Sequence, residues 1–132
     1  MSDLMRALTI NCAIDFMCVS SYAGAAKTSG TAKIIKDLDM DISSLDVLVV
    51  EDILDSGLTL NYIIDILCTR NPRSIKICAL LDKPGRREAE VKLDYCGFQI
   101  PNEFVVGYGL DYDEKYRNLP YIAVLSPSIY ER

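Results

Sequence analysis

At 132 residues, half of them hydrophobic and a quarter charged, the chain has room for one globular domain with a single core. Its net charge of -5 and its lack of any Lys/Arg run exclude a basic nucleic-acid footprint, so phosphate binding must come from local geometry. The absence of histidine excludes Ser-His-Asp and Cys-His catalysis and His-ligated zinc; acid–base work falls to Asp, Glu, Lys, Tyr or Cys, and any metal must be a hard cation held by carboxylates.

In chain order, residues 2–11 fit a short helix with Leu4, Met5 and Leu8 on one side and Ser2 or Asp3 as cap. Residues 14–19 are a compact apolar run expected to form a buried strand. Residues 20–30 (SSYAGAAKTSG) are small and polar, as a mobile surface loop would be, and residues 31–38 alternate like a strand. Residues 47–50 (VLVV) are apolar on both faces, which predicts a central strand in a covered parallel sheet.

After an acidic, glycine-containing loop, Leu60, Ile63, Ile64 and Leu67 recur at helical spacing and predict an amphipathic helix ending near Arg70-Asn71-Pro72. Residues 74–81 (SIKICALL) form the next strand, completing a strand–helix–strand unit. Residues 85–90 predict a charged turn with a short helical start, and residues 96–101, 104–106 and 121–125 predict further short strands. The sum is an α/β domain on a mainly parallel sheet.

Five cysteines, Cys12, Cys18, Cys68, Cys78 and Cys96, contain no CxxC pair. Four sit among apolar neighbours, so all five are read as reduced thiols in a cytoplasmic chain, mostly buried. No window approaches the roughly 18–20 apolar residues of a membrane span, and the first residues mix acid and base without a secretory core.

The chemistry concentrates in VLVVEDILDSGLTL. Ligands of open parallel sheets bind beyond the carboxyl ends of the strands, where residues 51–59 fall. Gly57 permits close backbone approach, Ser56 and Thr59 bring hydroxyls, and a turn into a helix leaves several N–H groups unpaired. Asp55-Ser56-Gly57-Leu58-Thr59 alone also fits an ordinary helix cap. The preceding Glu51-Asp52 pair shifts the reading, because adjacent carboxylates on a strand point to opposite sides and each needs a partner. An acidic pair beside an anion cradle suits a ligand with a diol, a phosphate and a divalent ion, such as a phosphorylated ribose. The Walker spacing and its lysine are absent.

VLVVEDILDSGLT resembles the 5-phosphoribosyl-1-pyrophosphate signature of type I phosphoribosyltransferases. LLDKP and GFQIPNEFVVGYGLDYDEKYRNLPYIAVL are similar to the hypoxanthine-guanine family within them, and FMCVSSYAGAAKTSGTAKIIKDL to that family's closing loop and its flanking strands. The resemblance implies a type I phosphoribosyltransferase-like α/β fold, a mainly parallel sheet flanked by helices. It also implies a single domain over residues 1–132 that lacks the usual N-terminal strand, a Leu-Lys-Gly turn contacting pyrophosphate, and part of the hood.

The implied reaction joins hypoxanthine or guanine to phosphoribosyl pyrophosphate, giving IMP or GMP and pyrophosphate. By resemblance, Glu51 and Asp52 address the ribose hydroxyls and Mg2+, and Asp55 faces purine N7 as general base. The backbone of residues 55–59, with Gly57 and Leu58 contributing main chain and Ser56 and Thr59 adding hydroxyls, holds the 5-phosphate. Lys83 donates to the 6-oxo group, Phe104 stacks on the base, and the Val105 and Asp111 backbones read its edge. Asp111 is also a magnesium-associated carboxylate, Arg117 contacts pyrophosphate, and Ser21 and Tyr22 belong to the closing loop. Without the resemblance, Lys83 reads as solvated surface, Phe104 as a core aromatic and DYDEKYR as a charged turn.

The implied partners are small molecules, a 6-oxopurine and phosphoribosyl pyrophosphate, with neither nucleic acid nor membrane, in a homo-oligomer (dimer or tetramer). Two other readings stand beside this one: a nucleotide-binding fragment with impaired catalysis, and a regulatory RNA-binding homologue, which the acidic balance disfavours.

Overall fold

The computed structural model describes residues 1–20 and 33–130. Its frame is a three-stranded parallel sheet in which β4 (Ser74–Asp82) lies between β3 (Asp46–Leu54) and β5 (Tyr95–Gln99), with α2 (Leu58–Cys68) connecting β3 to β4. Residues two apart share a face, so Val49, Ile77 and Ala79 look toward α2. There they meet Leu60 and Ile64, one turn apart on the helix. The resulting core joins buried Leu54, Leu60, Ile77 and Ala79 to Val49, Ile64, Val91 and Leu93. Each large aliphatic chain buried this way contributes about 1.5–3 kcal/mol.

Polar clamps fix the register at both ends of the β3–β4 pair. At the start, Asp46 accepts from Arg73 Nε at 2.9 Å and Ser74 Oγ at 2.7 Å, and the Arg73 and Ser74 donors hold its carboxyl down at about 2. At the far end, Lys83 N–H donates to the Leu54 carbonyl at 2.9 Å. Asp94 sets β5 in place, accepting from Lys76 Nζ at 2.7 Å and Ile77 N–H at 2.9 Å. A one-residue slip would break these bonds and turn the core side chains to the opposite face.

Two smaller sheets flank this frame. β1 (Cys18–Ser20) pairs antiparallel with β2 (Lys33–Lys36), and β6 (Val105–Val106) pairs antiparallel with β7 (Ala123–Val124). Arg70 near the end of α2 forms a two-pronged ion pair with Asp37 just beyond β2, at 2.8 and 2.9 Å. α1 (Ser2–Ala7) is tied to the turn after β6 by Asp3, which accepts from the Tyr108 hydroxyl. A 3-10 turn covers Pro84–Arg86 and α3 covers Pro127–Tyr130.

Several expectations change. The first helix stops at Ala7, not near Asn11, and none of its residues is buried. The predicted buried strand over 14–19 is a three-residue strand at Cys18–Ser20, and Ile14 and Phe16 are exposed. Among the described residues this segment's only sheet partner is the short β2, so it has no layer to be buried under. β3 is not central; β4 is, and β3 keeps one edge unpaired among the described residues. The strand also runs past VLVV through Glu51 and Asp52 to Leu54, because Ile53 and Leu54 continue the alternation against Leu81 and Asp82.

The thiols are free as expected, but Cys12, Cys18, Cys68 and Cys96 are exposed and Cys78 only partly covered. Apolar neighbours in sequence did not place them in the core. Cys68 is the last residue of α2, and every residue of β5, including Cys96, is exposed.

Candidate functional site

The end of β3 and the start of α2 enclose a cavity of about 150 Å³ lined by Glu51, Ile53, Leu54, Asp55, Ser56, Gly57, Thr59 and Leu60. That is well above the ~10–15 Å³ needed to admit one water, so a phosphoryl group has room. Gly57 sits at φ 82° as the N-cap of α2, and the helix has no side-chain cap bond. A Cβ on Gly57 would stand 3.0 Å from the Ala89 carbonyl and 3.2 Å from Val91, so both its conformation and its packing require glycine. The first intrahelical bond belongs to Asn61 N–H, which reaches the Gly57 carbonyl at 2.8 Å. The N–H groups before it face the cavity end of the helix, where the dipole favours an anion. Ser56 Oγ makes only a long 3.4 Å contact with Leu58 N–H.

Two carboxylates line this cradle, Glu51 and Asp55, and a third, Asp52, lies next to Glu51 on the far face. Glu51 is half-buried in the cavity wall, and burial, then the neighbouring Asp52, push its carboxyl up to about 7. Asp52, one residue on, faces the other side of the sheet, is exposed, and accepts from Ile53 N–H at 2.7 Å. Asp55 turns into the cavity. Its Oδ1 is buried and lacks an aligned hydrogen-bond donor, although Arg86 Nε stands 3.2 Å away as an ion-pair partner. The rest of the carboxyl is open, with the side chain 42% exposed, so a ligand can reach it from the cavity.

Lys83 follows directly from β4. It is 7% exposed, not solvated surface, and its ammonium has no ion-pair or hydrogen-bond partner among the described residues. Beyond β5, Phe104 is packed edge-on by Tyr112 (centroids 5.6 Å apart, planes at 89°) and obliquely by Tyr130 of α3 (5.3 Å, 30°). Phe104 stays 38% exposed, and its carbonyl accepts from Leu125 N–H at 2.7 Å. Val105 opens β6 opposite Val124.

The chain then makes two tight turns. Gly107 and Gly109 have φ of 94° and 100°, Tyr108, Asp113, Glu114 and Tyr116 are also left-handed, and a Cβ on Gly107 would lie 2.1 Å from the Tyr121 carbonyl. These turns bring Asp111 and Arg117 together. Arg117 Nη2 lies 3.1 Å from Asp111 Oδ1 and 3.2 Å from Glu114 Oε2, and Nη1 donates to the Gly109 carbonyl at 2.9 Å. Asp111 also accepts from Glu114 N–H at 2.9 Å.

Of the residues singled out in the sequence, Glu51, Asp55, Ser56, Gly57 and Thr59 thus share one cavity. Leu58 starts the helix beside it with an exposed side chain, and Asp52 lies on the opposite face. Asp111 and Arg117 pair with each other. Ser21 and Tyr22 lie outside the described residues. No three carboxylate, thiol or imidazole groups converge among the described residues, so Glu51, Asp52 and Asp111 do not form a ready-made cage. Sequence reasoning missed Asp82, Arg87, Tyr112 and Tyr130. A carboxylate in a buried strand end demands a cation, so Asp82 was a legible signal; nothing in the sequence marked Tyr130.

With this geometry in place, comparison with known proteins places the chain. The family profile described as a phosphoribosyl transferase domain matches residues 1–113. A hypoxanthine-guanine phosphoribosyltransferase from Bacillus subtilis is 53% identical over 131 residues, covering 99% of this chain and 73% of that protein. One from Mycobacterium avium is also 53% identical, covering 99% of this chain and 64% of that protein, so the chain spans only part of these relatives. The crystal structure of a hypoxanthine phosphoribosyltransferase from Staphylococcus aureus superposes with a TM-score of 0.93 at 51% identity, covering 99% of this chain and 71% of that one. The signature loop, the sheet behind it and these likenesses agree: the chain belongs to the phosphoribosyl transferase domain family, among the hypoxanthine-guanine phosphoribosyltransferases.

Proposed function

We propose that the chain carries out purine salvage, transferring the 5-phosphoribosyl group from phosphoribosyl pyrophosphate to hypoxanthine or guanine. The observation that carries this reading is the half-exposed Asp55 carboxylate in the wall of an anion cradle turned by Gly57. In the reaction the C1–pyrophosphate bond breaks, purine N9 bonds to C1, and the N7 proton passes to Asp55. The backbone and hydroxyls of residues 56–59 hold the 5-phosphate while Glu51 faces the ribose diol.

Lys83, nearly buried and without a carboxylate partner among the described residues, is suited to donate to a 6-oxo group and to reject a 6-amino donor. Phe104 offers an exposed ring held from two sides by tyrosines as a stacking platform. Arg117 would release its bonds to Asp111 and Glu114 to meet pyrophosphate.

Mg2+ is commonly held by one or two carboxylates plus substrate phosphates, so it would not need three carboxylates to converge. Glu51, Asp52 and Asp111 are the residues that would hold it, and the ion would neutralise charge on the leaving pyrophosphate. Five unpaired cysteines support a cytoplasmic setting. Exposed Phe16, Ile35, Tyr95 and Phe98 support assembly into a dimer or tetramer.

The test is direct: hypoxanthine or guanine with phosphoribosyl pyrophosphate and Mg2+ should yield IMP or GMP and one equivalent of pyrophosphate. Nucleotide binding without turnover would leave a nucleotide-binding module in place of an enzyme.

A further inference from the structure

The phosphate loop is braced from behind. Residues 83–89 run behind it and take up its carbonyls one after another. Lys83 N–H bonds to the Leu54 carbonyl at 2.9 Å, and Glu88 and Ala89 N–H both bond to the Ser56 carbonyl, at 2.9 and 3.0 Å. The carbonyl between these, that of Asp55, is taken by a side chain: Arg87 Nη1 donates to it at 3.0 Å. The other arm of the same guanidinium meets the Asp82 carboxylate, which is buried at the end of β4. The Arg87 side chain is 20% exposed, and its Cδ lies 3.3 Å from the position a Cβ on Gly57 would occupy.

The trans peptide unit turns these bonds into an aiming device. In a planar trans peptide the C=O of one residue and the N–H of the next point in opposite directions. Drawing the Asp55 carbonyl backward therefore sends Ser56 N–H forward, and drawing the Ser56 carbonyl backward sends Gly57 N–H forward. Forward is the side of the cavity, where an anion would sit. Glycine at 57 accepts the left-handed φ of 82° that this turn requires. The guanidinium is planar, permanently charged and able to serve a carboxylate and a carbonyl at once, which a lysine ammonium cannot do with the same fixed angle.

We propose that Arg87, oriented by Asp82, is a positioning residue that aims the Ser56 N–H donor at the 5-phosphate, while Glu88 and Ala89 hold the next peptide. The inference rests on the reading of this loop as a phosphoribosyl site. Arg87 touches no substrate in this assignment and acts only through the Asp55 carbonyl.

Removing Arg87 alone strands the Asp82 carboxylate in a buried place, which can unfold the chain for reasons unrelated to aiming. The informative pair is therefore Asp82→Asn, whose amide oxygen still accepts from Arg87, against Asp82→Asn/Arg87→Ala, in which neither charge remains and the vacated stem leaves room for a guanidinium. IMP binding to the two is measured by calorimetry, with the 31P resonance of bound IMP as a second readout. The double variant should bind IMP at least tenfold more weakly than Asp82→Asn, with a displaced 31P signal, and millimolar methylguanidinium should recover most of the affinity. Arg87→Lys should fall between wild type and the double variant.

Equal IMP affinity within twofold for the two Asp82→Asn proteins, or a loss that methylguanidinium leaves untouched, overturns the aiming role. Wild-type protein that does not bind IMP overturns the phosphoribosyl reading and this inference with it, so the two failures are told apart by which protein fails.

Discussion

Glu51 and Asp52 are neighbours in β3 whose carboxyls live in opposite conditions, one in the cavity wall with its proton held to about pH 7, the other exposed on the far face. The sign of the pH effect follows. Glu51 is protonated in both folded and unfolded chains below pH 4.5, and between pH 4.5 and 7 only the folded form keeps the proton. Stability therefore falls as pH rises through that window and levels off above 7. Glu51→Gln should match wild type in urea unfolding near pH 4 and exceed it by about 1–3 kcal/mol near pH 8. An unchanged difference across that range would show that Glu51 ionises normally. The same raised carboxyl should release a proton when phosphoribosyl pyrophosphate and Mg2+ bind near pH 6.5, seen as a buffer-dependent heat of binding.

Asp55→Asn keeps the shape of the side chain and removes the proton acceptor. IMP formation should drop by about 10²–10⁴ in kcat with little change in the affinity for phosphoribosyl pyrophosphate. A loss confined to KM would instead make Asp55 a binding group.

Gly57→Ala tests the turn. A left-handed residue with a Cβ 3.0 Å from the Ala89 carbonyl should destabilise the fold by about 1–3 kcal/mol, read as a lower denaturation midpoint at constant slope. Gly85→Ala is the control, because its Cβ meets nothing within 4 Å and its φ is ordinary.

Lys83→Met keeps the stem and deletes the ammonium. Hypoxanthine KM should rise at least tenfold while the KM for phosphoribosyl pyrophosphate stays within about threefold. Discrimination against adenine should narrow, since the donor that opposed a 6-amino group is gone.

Tyr130→Ala removes the ring that braces Phe104 from the side of α3. The purine KM should rise several-fold, as an aromatic pair is worth about 0.5–1.5 kcal/mol beyond its burial, and kcat should hold. Equal KM values in the two proteins would leave Phe104 positioned by Tyr112 alone.

How much of this was legible in the sequence depends on the range of the force involved. Helical spacing at Leu60, Ile64 and Leu67 and the run SIKICALL identified α2 and β4 because their partners lie close in the chain. The cradle was legible for the same reason: Ser56, Gly57 and Thr59 carry their turn chemistry locally. Strand order was not. VLVV and SIKICALL look equally buried as strings, and only tertiary pairing decides that β4 lies inside and β3 at the edge.

The split environments of Glu51 and Asp52 followed from strand alternation, yet the rise in the Glu51 carboxyl needed the cavity wall to be known. Arg87 escaped because a basic residue in a polar turn has the same appearance whether it faces water or reaches back to Asp82. Lys83, Phe104, Val105 and Asp111 were singled out for the purine side by likeness to a family; no local pattern marks them.

The cysteines have a practical consequence. With Cys12, Cys18, Cys68 and Cys96 all reachable from solvent, the protein should form disulfide-linked dimers and larger species in air. Those species would run as a ladder on non-reducing gels and collapse to one band with dithiothreitol. A titration with a thiol-specific chromophore should count four fast sites and one slow one, Cys78. A sample stored without reductant could then mimic an oligomer in a sizing column, so the assembly state should be measured on freshly reduced or alkylated protein.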